Sequence, residues 1–70
     1  MTAMEAFEKW ADRNGWHAWR GVSGLVYVRR PRSSPPILFK GRHVAPVRRQ
    51  AEVRQAALEA RRKEMFGDDY

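Results

Sequence analysis

The stretch that decides the fold runs from Trp16 to Arg30 and reads WHAWR-GVSG-LVYVRR. Two runs rich in aromatic and β-branched residues flank a turn with a glycine at each end, which predicts a β-hairpin. Side chains of a strand alternate between its two faces, so Val26 and Val28 share one face and Leu25, Tyr27 and Arg29 share the other. We place Val26 and Val28 inward, under the helices.

The segment after the hairpin ends the second strand and begins a third. Proline lacks the N–H that a sheet ladder needs, so the stretch from Pro31 to Pro36 cannot continue a central strand. It predicts a stiff, basic connection. Ile37-Leu38-Phe39-Lys40 then resumes as a third strand that stops at Gly41.

A helix is predicted before the hairpin. Thr2 and Glu5 form a capping box, and Asn14-Gly15 is a stop signal. The apolar residues between these signals fall on one helical face: Ala3, Phe7, Trp10 and Ala11, with Met4 at the margin.

A second helix is predicted from Ala45-Pro46 onward. Apolar residues repeat every seven positions at Val44, Ala51, Leu58 and Met65, as one of the two core positions of a coiled-coil heptad would. Arg54 and Arg61 occupy the other core position. This pattern argues against a strong coiled coil and favours a monomer or weak self-association. About twenty residues make roughly 30 Å of helix, against about 13–20 Å for a short strand, so the helix should overhang the sheet.

The chain as a whole is therefore expected to be one small α+β domain over residues 1–66, followed by an acidic tail at residues 67–70. Its order is α-β-β-β-α, with two helices packed on one face of a three-stranded antiparallel sheet.

Charge is distributed very unevenly along the chain. Residues 13–51 hold nine Lys/Arg and two His but no Asp or Glu, and the net charge is +6. A one-signed block repels itself, so it indicates an acidic partner, and nucleic acid is the first candidate. Basic residues interleaved with Trp16, Trp19, Tyr27 and Phe39 suit pairing with phosphates and stacking on bases.

The candidate nucleic-acid-binding residues are Arg20, Tyr27, Arg29, Arg30, Arg32, Lys40, Arg42, Arg48 and Arg49. Arg20 and Tyr27 are the candidates for base or groove contact, and the others for phosphate contact. Two alternatives stay open: the tryptophans equally suit core packing, and Arg29, Arg30 and Arg32 equally suit a solvated surface.

Catalytic and metal chemistry find little support in the sequence. There is no Cys, His17 and His43 are 26 residues apart, and no Gly-rich phosphate loop or Ser-His-Asp set is present. We therefore expect a non-enzymatic protein without cofactor or metal.

No apolar run approaches the roughly 20 residues that span a bilayer, and no signal peptide opens the chain. We therefore expect no membrane association and a cytoplasmic location.

The element order is similar to that of double-stranded-RNA-binding domains, and Arg48-Arg49-Gln50-Ala51 is similar to the basic first turn with which that family grips phosphates. The glycine-containing loop and the Lys-Lys-x-Ala-Lys spacing of that family are not reproduced. Three strands followed by a helix also resemble the DNA-binding domains of phage integrases and plant AP2 factors, in which the sheet enters the major groove.

A closer resemblance covers residues 15–40. Trp19-Arg20-Gly21, Tyr27 and Ser33-Ser34-Pro35-Pro36 resemble small uncharacterised proteins of actinobacteria and their phages. This resemblance implies an actinobacterial or actinophage origin, in the latter case with the host cytoplasm as location.

The first hypothesis for the function is binding of nucleic acid, with duplex DNA favoured over RNA. The second is a phage protein that binds and inhibits or redirects a host protein, through Leu58, Arg61, Arg62, Met65 and Phe66.

Overall fold

The computed structural model describes the backbone of residues 1–66 and the side chains of residues 1–63. The chain forms α1 (Ala3–Asn14), β1 (His17–Arg20), β2 (Val26–Arg30), β3 (Ile37–Gly41) and α2 (Val44–Phe66). The predicted α+β class and the order α-β-β-β-α are confirmed. The predicted acidic tail at residues 67–70 lies outside the described part of the chain.

Helix α1 is closed at both ends by the residues that the sequence indicated. The Glu5 backbone N–H donates to the Thr2 hydroxyl at 3.1 Å, and the Thr2 backbone N–H donates to Glu5 Oε1 at 2.9 Å. The Thr2 backbone N–H, and secondarily the Thr2 side chain, lower the pKa of the Glu5 carboxyl. At the other end Gly15 has φ of 79°, a left-handed conformation that suits glycine.

Replacing Thr2 by Ala should lower the stability of the domain by about 1 kcal/mol, because the Glu5 backbone N–H loses its hydroxyl acceptor. In a domain of this size that corresponds to a drop of about 4–8 °C in Tm. Thr2→Ser keeps the hydroxyl and is the control; an equal drop in both variants would contradict the capping role.

The pKa of Glu5 is lowered in the folded state, so the stabilisation that its carboxylate contributes is present near neutral pH. It is lost as the pH falls through that lowered pKa.

The sheet is antiparallel with the strand order β1-β2-β3, so β2 is central. Helix α1 packs over β1, helix α2 packs over β2 and β3, and the two helices contact each other. Both helices lie on the face that carries Val26 and Val28, each of which is 0% exposed. The inward placement of these two valines is confirmed.

The core is formed by eight buried residues from every element except β3: Phe7, Ala11, Trp16, Ala18, Val26, Val28, Val47 and Ala51. Met4, Trp10, Ile37, Phe39, Val44 and Leu58 are half-buried against this cluster. Ala3, which we expected on the buried face of α1, is exposed, because the part of that helix face that is buried begins one turn later at Phe7.

The outer turns of α2 extend past the sheet, as the predicted lengths indicated. Residues 59–63 are all exposed, and the longest dimension of the molecule is 46 Å. Among the described residues, neither helix combines the length and the apolar character needed to cross a membrane.

Candidate nucleic-acid interface

The sheet face opposite the helices is uncovered by any other described element, and we call it the open face. Strand alternation and register place six side chains on it in two rows. One row crosses the sheet as Trp19, Tyr27 and Lys40, and the other as His17, Arg29 and Leu38. The open face is therefore a short grid with Tyr27 and Arg29 at its centre, on β2.

The aromatic side chains of the open face stack on one another. Trp19 and Tyr27, directly opposite in the register, have ring centroids 5.2 Å apart and planes inclined by 9°. His17 lies 5.0 Å from Trp19 at 23°. The Tyr27 ring also packs over Gly21, where an added Cβ would lie 2.7 Å from a ring carbon. The turn after β1 thus needs glycine at position 21 to let Tyr27 take its place in the stack.

The charge of the open face is positive. Arg29 and Lys40 are both exposed there, and none of its six residues is acidic. The carboxylates of the described side chains lie on α1 and α2, behind the sheet, and the ion pair that forms among these side chains joins Arg48 to Glu52 at 3.3 Å on α2. The cations of the open face therefore have no anionic side chain beside them on that face.

The remaining candidate residues lie at strand ends or on α2. Arg20, at the end of β1, is opposite Val26 in the register and so on the other face from Tyr27, with which we expected it to contact bases; its Nη1 donates to the Gly24 carbonyl at 3.0 Å. Arg42 is exposed just after β3. Arg48 is half-buried and paired with Glu52, whereas Arg49 is exposed on the first turns of α2.

Arg29 and Arg30, neighbours in sequence, are separated by the sheet. Arg30 pairs with Ile37 in the register, is half-buried, and donates through Nη1 to the Ser33 hydroxyl. Together with Arg32 it lines a cleft that also contains Arg54 and Arg61 from α2. The single basic surface that we expected from Arg29, Arg30 and Arg32 is thus two surfaces.

The four aromatic residues that alternate with the basic ones in the sequence are also divided between the core and the open face: Trp16, Trp19, Tyr27 and Phe39. Trp16 is 3% exposed, and its Nε1–H donates to Gln55 Oε1 at 2.8 Å, which ties the hairpin to α2. Phe39 is half-buried and stacks on Trp16 with centroids 6.2 Å apart. Core packing therefore accounts for Trp16 and Phe39, and only Trp19 and Tyr27 lie on the open face.

Two residues of the open face were missed by the sequence reading, His17 and Leu38, although the alternation that placed Tyr27 and Arg29 outward also places them there. Among the candidate partner-binding residues, Leu58 packs against the core, Arg61 lines the cleft and Arg62 is exposed. The side chains of Met65 and Phe66 lie outside the described residues.

Residues 1–63 contain no group of three or more His, Asp or Glu side chains arranged to hold a metal ion. Comparison of the chain with protein-family models, with curated proteins and with solved structures gives no match.

Proposed function

We propose that this protein is a small, non-enzymatic nucleic-acid-binding protein that docks the open face of its sheet on duplex DNA. One observation carries the proposal: a sheet face left uncovered by the described elements combines exposed cations and a stacked aromatic row with no carboxylate. Basic and aromatic side chains on one surface match the phosphate and base chemistry of nucleic acid.

The width of the sheet suits a groove of the duplex. Neighbouring strands lie about 4.8 Å apart, so the axes of three strands span about 10 Å. The major groove of B-DNA is about 12 Å wide and admits an α-helix or a two-stranded β-ribbon, so β2 and one neighbouring strand enter it while the third strand stays at its rim. In this arrangement Arg29, on the central strand, faces base edges together with Tyr27, and Lys40 on the edge strand faces phosphates. Arg20 and Arg42, at strand ends, flank the backbone.

The stacking on the open face favours a duplex over a single strand. Single-stranded nucleic acid is typically held by bases that stack on free aromatic rings. Trp19 already stacks on both His17 and Tyr27, and Tyr27 packs over Gly21. Rings engaged in this way have little face left for a base, but their edges are available to the walls of a groove.

The salt dependence of binding tests the proposal. If Arg20, Arg29, Lys40 and Arg42 each meet a phosphate or groove edge, log affinity for a mixed-sequence duplex should fall with log salt at a slope of about −3.6, from roughly −0.9 per contact. The double variant Arg29→Gln, Lys40→Gln should flatten that slope by about 1.8. Fluorescence anisotropy of a labelled duplex over a salt series measures both slopes.

A matched control separates a local effect from the loss of net charge. Lys9→Gln with Arg13→Gln removes the same charge from exposed positions of α1, behind the sheet. This control should keep the wild-type slope. A wild-type slope near zero, or equal flattening in the two double variants, would rule out the open face as the DNA-binding surface.

Binding of a host protein, as by a small phage protein, is a second candidate function. It is favoured by a shallow groove of about 400 Å³ between β3 and α2, lined mainly by apolar surface that includes Phe39, Val53 and Ala57. Val53 is 65% exposed, so it adds accessible apolar surface to this groove. Duplex binding at low salt is required by the first candidate and not by the second, so the anisotropy experiment separates them.

A further inference from the structure

A cleft at the β3 edge of the sheet is a second basic site. It has a volume of about 630 Å³ and lies between the β2–β3 connection and the middle of α2. Arg30 and Arg32 contribute to it from the hairpin side, and Arg54 and Arg61 from the helix. Phe39 and Leu58 add apolar surface to its lining.

The four arginines of the cleft have no acidic neighbour among the described residues that line it. None of those residues is Asp or Glu. One helical turn to either side of Arg54 the chain has Gln50, Ala51, Ala57 and Leu58, so no carboxylate is placed to pair with it along the helix. Four like charges converging on one cleft repel each other, and an anion bound among them would remove that repulsion.

Arg30 also carries an unsatisfied donor. Its Nη1 donates to the Ser33 hydroxyl, but its Nε–H is buried and has no hydrogen-bond partner among the described residues. Buried donors are nearly always paired in folded proteins, so one that is not points to a missing acceptor. The Nε–H is closed to solvent in this conformation, so an acceptor in the cleft reaches it when the Arg30 side chain turns, whereas the rest of the side chain already lines the cleft.

The spacing of the arginines indicates more than one anionic group. Arg54 and Arg61 are seven residues apart, which is about 10 Å along a helix. A guanidinium fork binds phosphate oxygens in bidentate geometry. One strand of a nucleic acid carries a charge about every 3.4 Å along its axis, so a run of two or three successive phosphates fits within this length.

We propose that the cleft binds a run of two or three adjacent phosphate groups, held by Arg30, Arg32, Arg54 and Arg61. The phosphates belong either to a free polyphosphate or nucleoside triphosphate, or to the backbone of a nucleic acid. This site does not rest on the proposed function, because none of its four arginines lies on the open face; the cleft and the open face share only Leu38, on the edge strand β3.

Calorimetric titration with inorganic tripolyphosphate at low salt tests the site. The double variant Arg54→Gln, Arg61→Gln should lose at least about tenfold in affinity, because two charge-assisted contacts are removed. Both residues are exposed on α2, so the fold should persist, which circular dichroism checks. The control Lys9→Gln, Arg13→Gln removes the same charge from exposed α1 positions outside the cleft and should bind as the wild type does.

A second readout is specific to Arg30. Its Nε–H resonance in a ¹⁵N NMR spectrum should shift when tripolyphosphate is added, and should not shift in the Arg54→Gln, Arg61→Gln variant. Absence of tripolyphosphate binding, or equal losses in the cleft and control variants, would overturn the proposal.

Parallel titrations with ATP and with a single-stranded oligo-dT identify the source of the phosphates. Loss of oligo-dT binding in the cleft variant assigns the site to a nucleic-acid backbone. Binding of tripolyphosphate and ATP without oligo-dT assigns it to a free ligand. The open-face variant Arg29→Gln, Lys40→Gln should keep tripolyphosphate binding, so failure of the duplex experiment and failure of this one remain distinguishable.

Discussion

Val28→Asp should leave the chain largely unfolded at 25 °C. Val28 is 0% exposed on the central strand, between Ala18 and Phe39 in the register and under α2. Burying an unpaired carboxylate costs several kcal/mol, and loss of the valine side chain removes a further 1.5–3 kcal/mol or so of apolar burial. A 70-residue domain has about 4–10 kcal/mol of stability in total. Far-UV circular dichroism and urea titration measure the result.

Leu38→Asp is the matched control for this prediction. Leu38 lies on β3 but on the open face, and it is 53% exposed. The new carboxylate stays in water beside Arg29, its neighbour in the register, so this variant should remain folded. If Leu38→Asp unfolds the domain and Val28→Asp does not, the assignment of the two sheet faces is wrong.

Local signals predicted most of this fold because each has one dominant physical cause. The Thr2–Glu5 capping box and the glycine after Asn14 mark the two ends of α1, as expected. The first backbone N–H groups of a helix need acceptors, and its left-handed last residue is best supplied by glycine, so few other residues suit these positions. The alternation around Val26 and Val28 set the faces of the sheet, because a slip by one residue would expose both valines.

The candidate site was harder to predict because composition says nothing about faces. Arg29 and Arg30 read as one basic block, yet the alternation that buries Val28 sends them to opposite sides. From the sequence Arg54 was recognised only as a residue that interrupts the heptad pattern of α2, and Arg61 as such a residue and as a candidate contact for a protein partner. Their meeting with Arg30 depends on how α2 crosses the sheet, which is a tertiary property that no local pattern encodes.

Trp16→Ala is the other change with a large expected effect, a loss of about 3–5 kcal/mol. Trp16 is 3% exposed, lies against both Trp10 and Phe39, and donates a hydrogen bond to Gln55. Its removal leaves a cavity where α1, the hairpin and α2 meet. Trp16→Phe keeps most of the packing but leaves Gln55 without this donor, so it should cost less than the alanine variant. Urea unfolding of the three proteins gives the comparison.

Trp19→Ala, three residues away, should behave differently. Trp19 is half-buried on the open face, and its main contacts there are the stacked rings of His17 and Tyr27. Such ring pairs contribute about 0.5–1.5 kcal/mol each beyond the area that they bury, so the domain should stay folded. The affinity of Trp19→Ala for a duplex should fall, because the aromatic row of the open face is broken. Trp16→Phe, which keeps most of the core packing, should keep wild-type affinity. Equal loss of stability in Trp16→Ala and Trp19→Ala would mean that Trp19 belongs to the core. The aromatic row would then no longer support the open face as a binding surface.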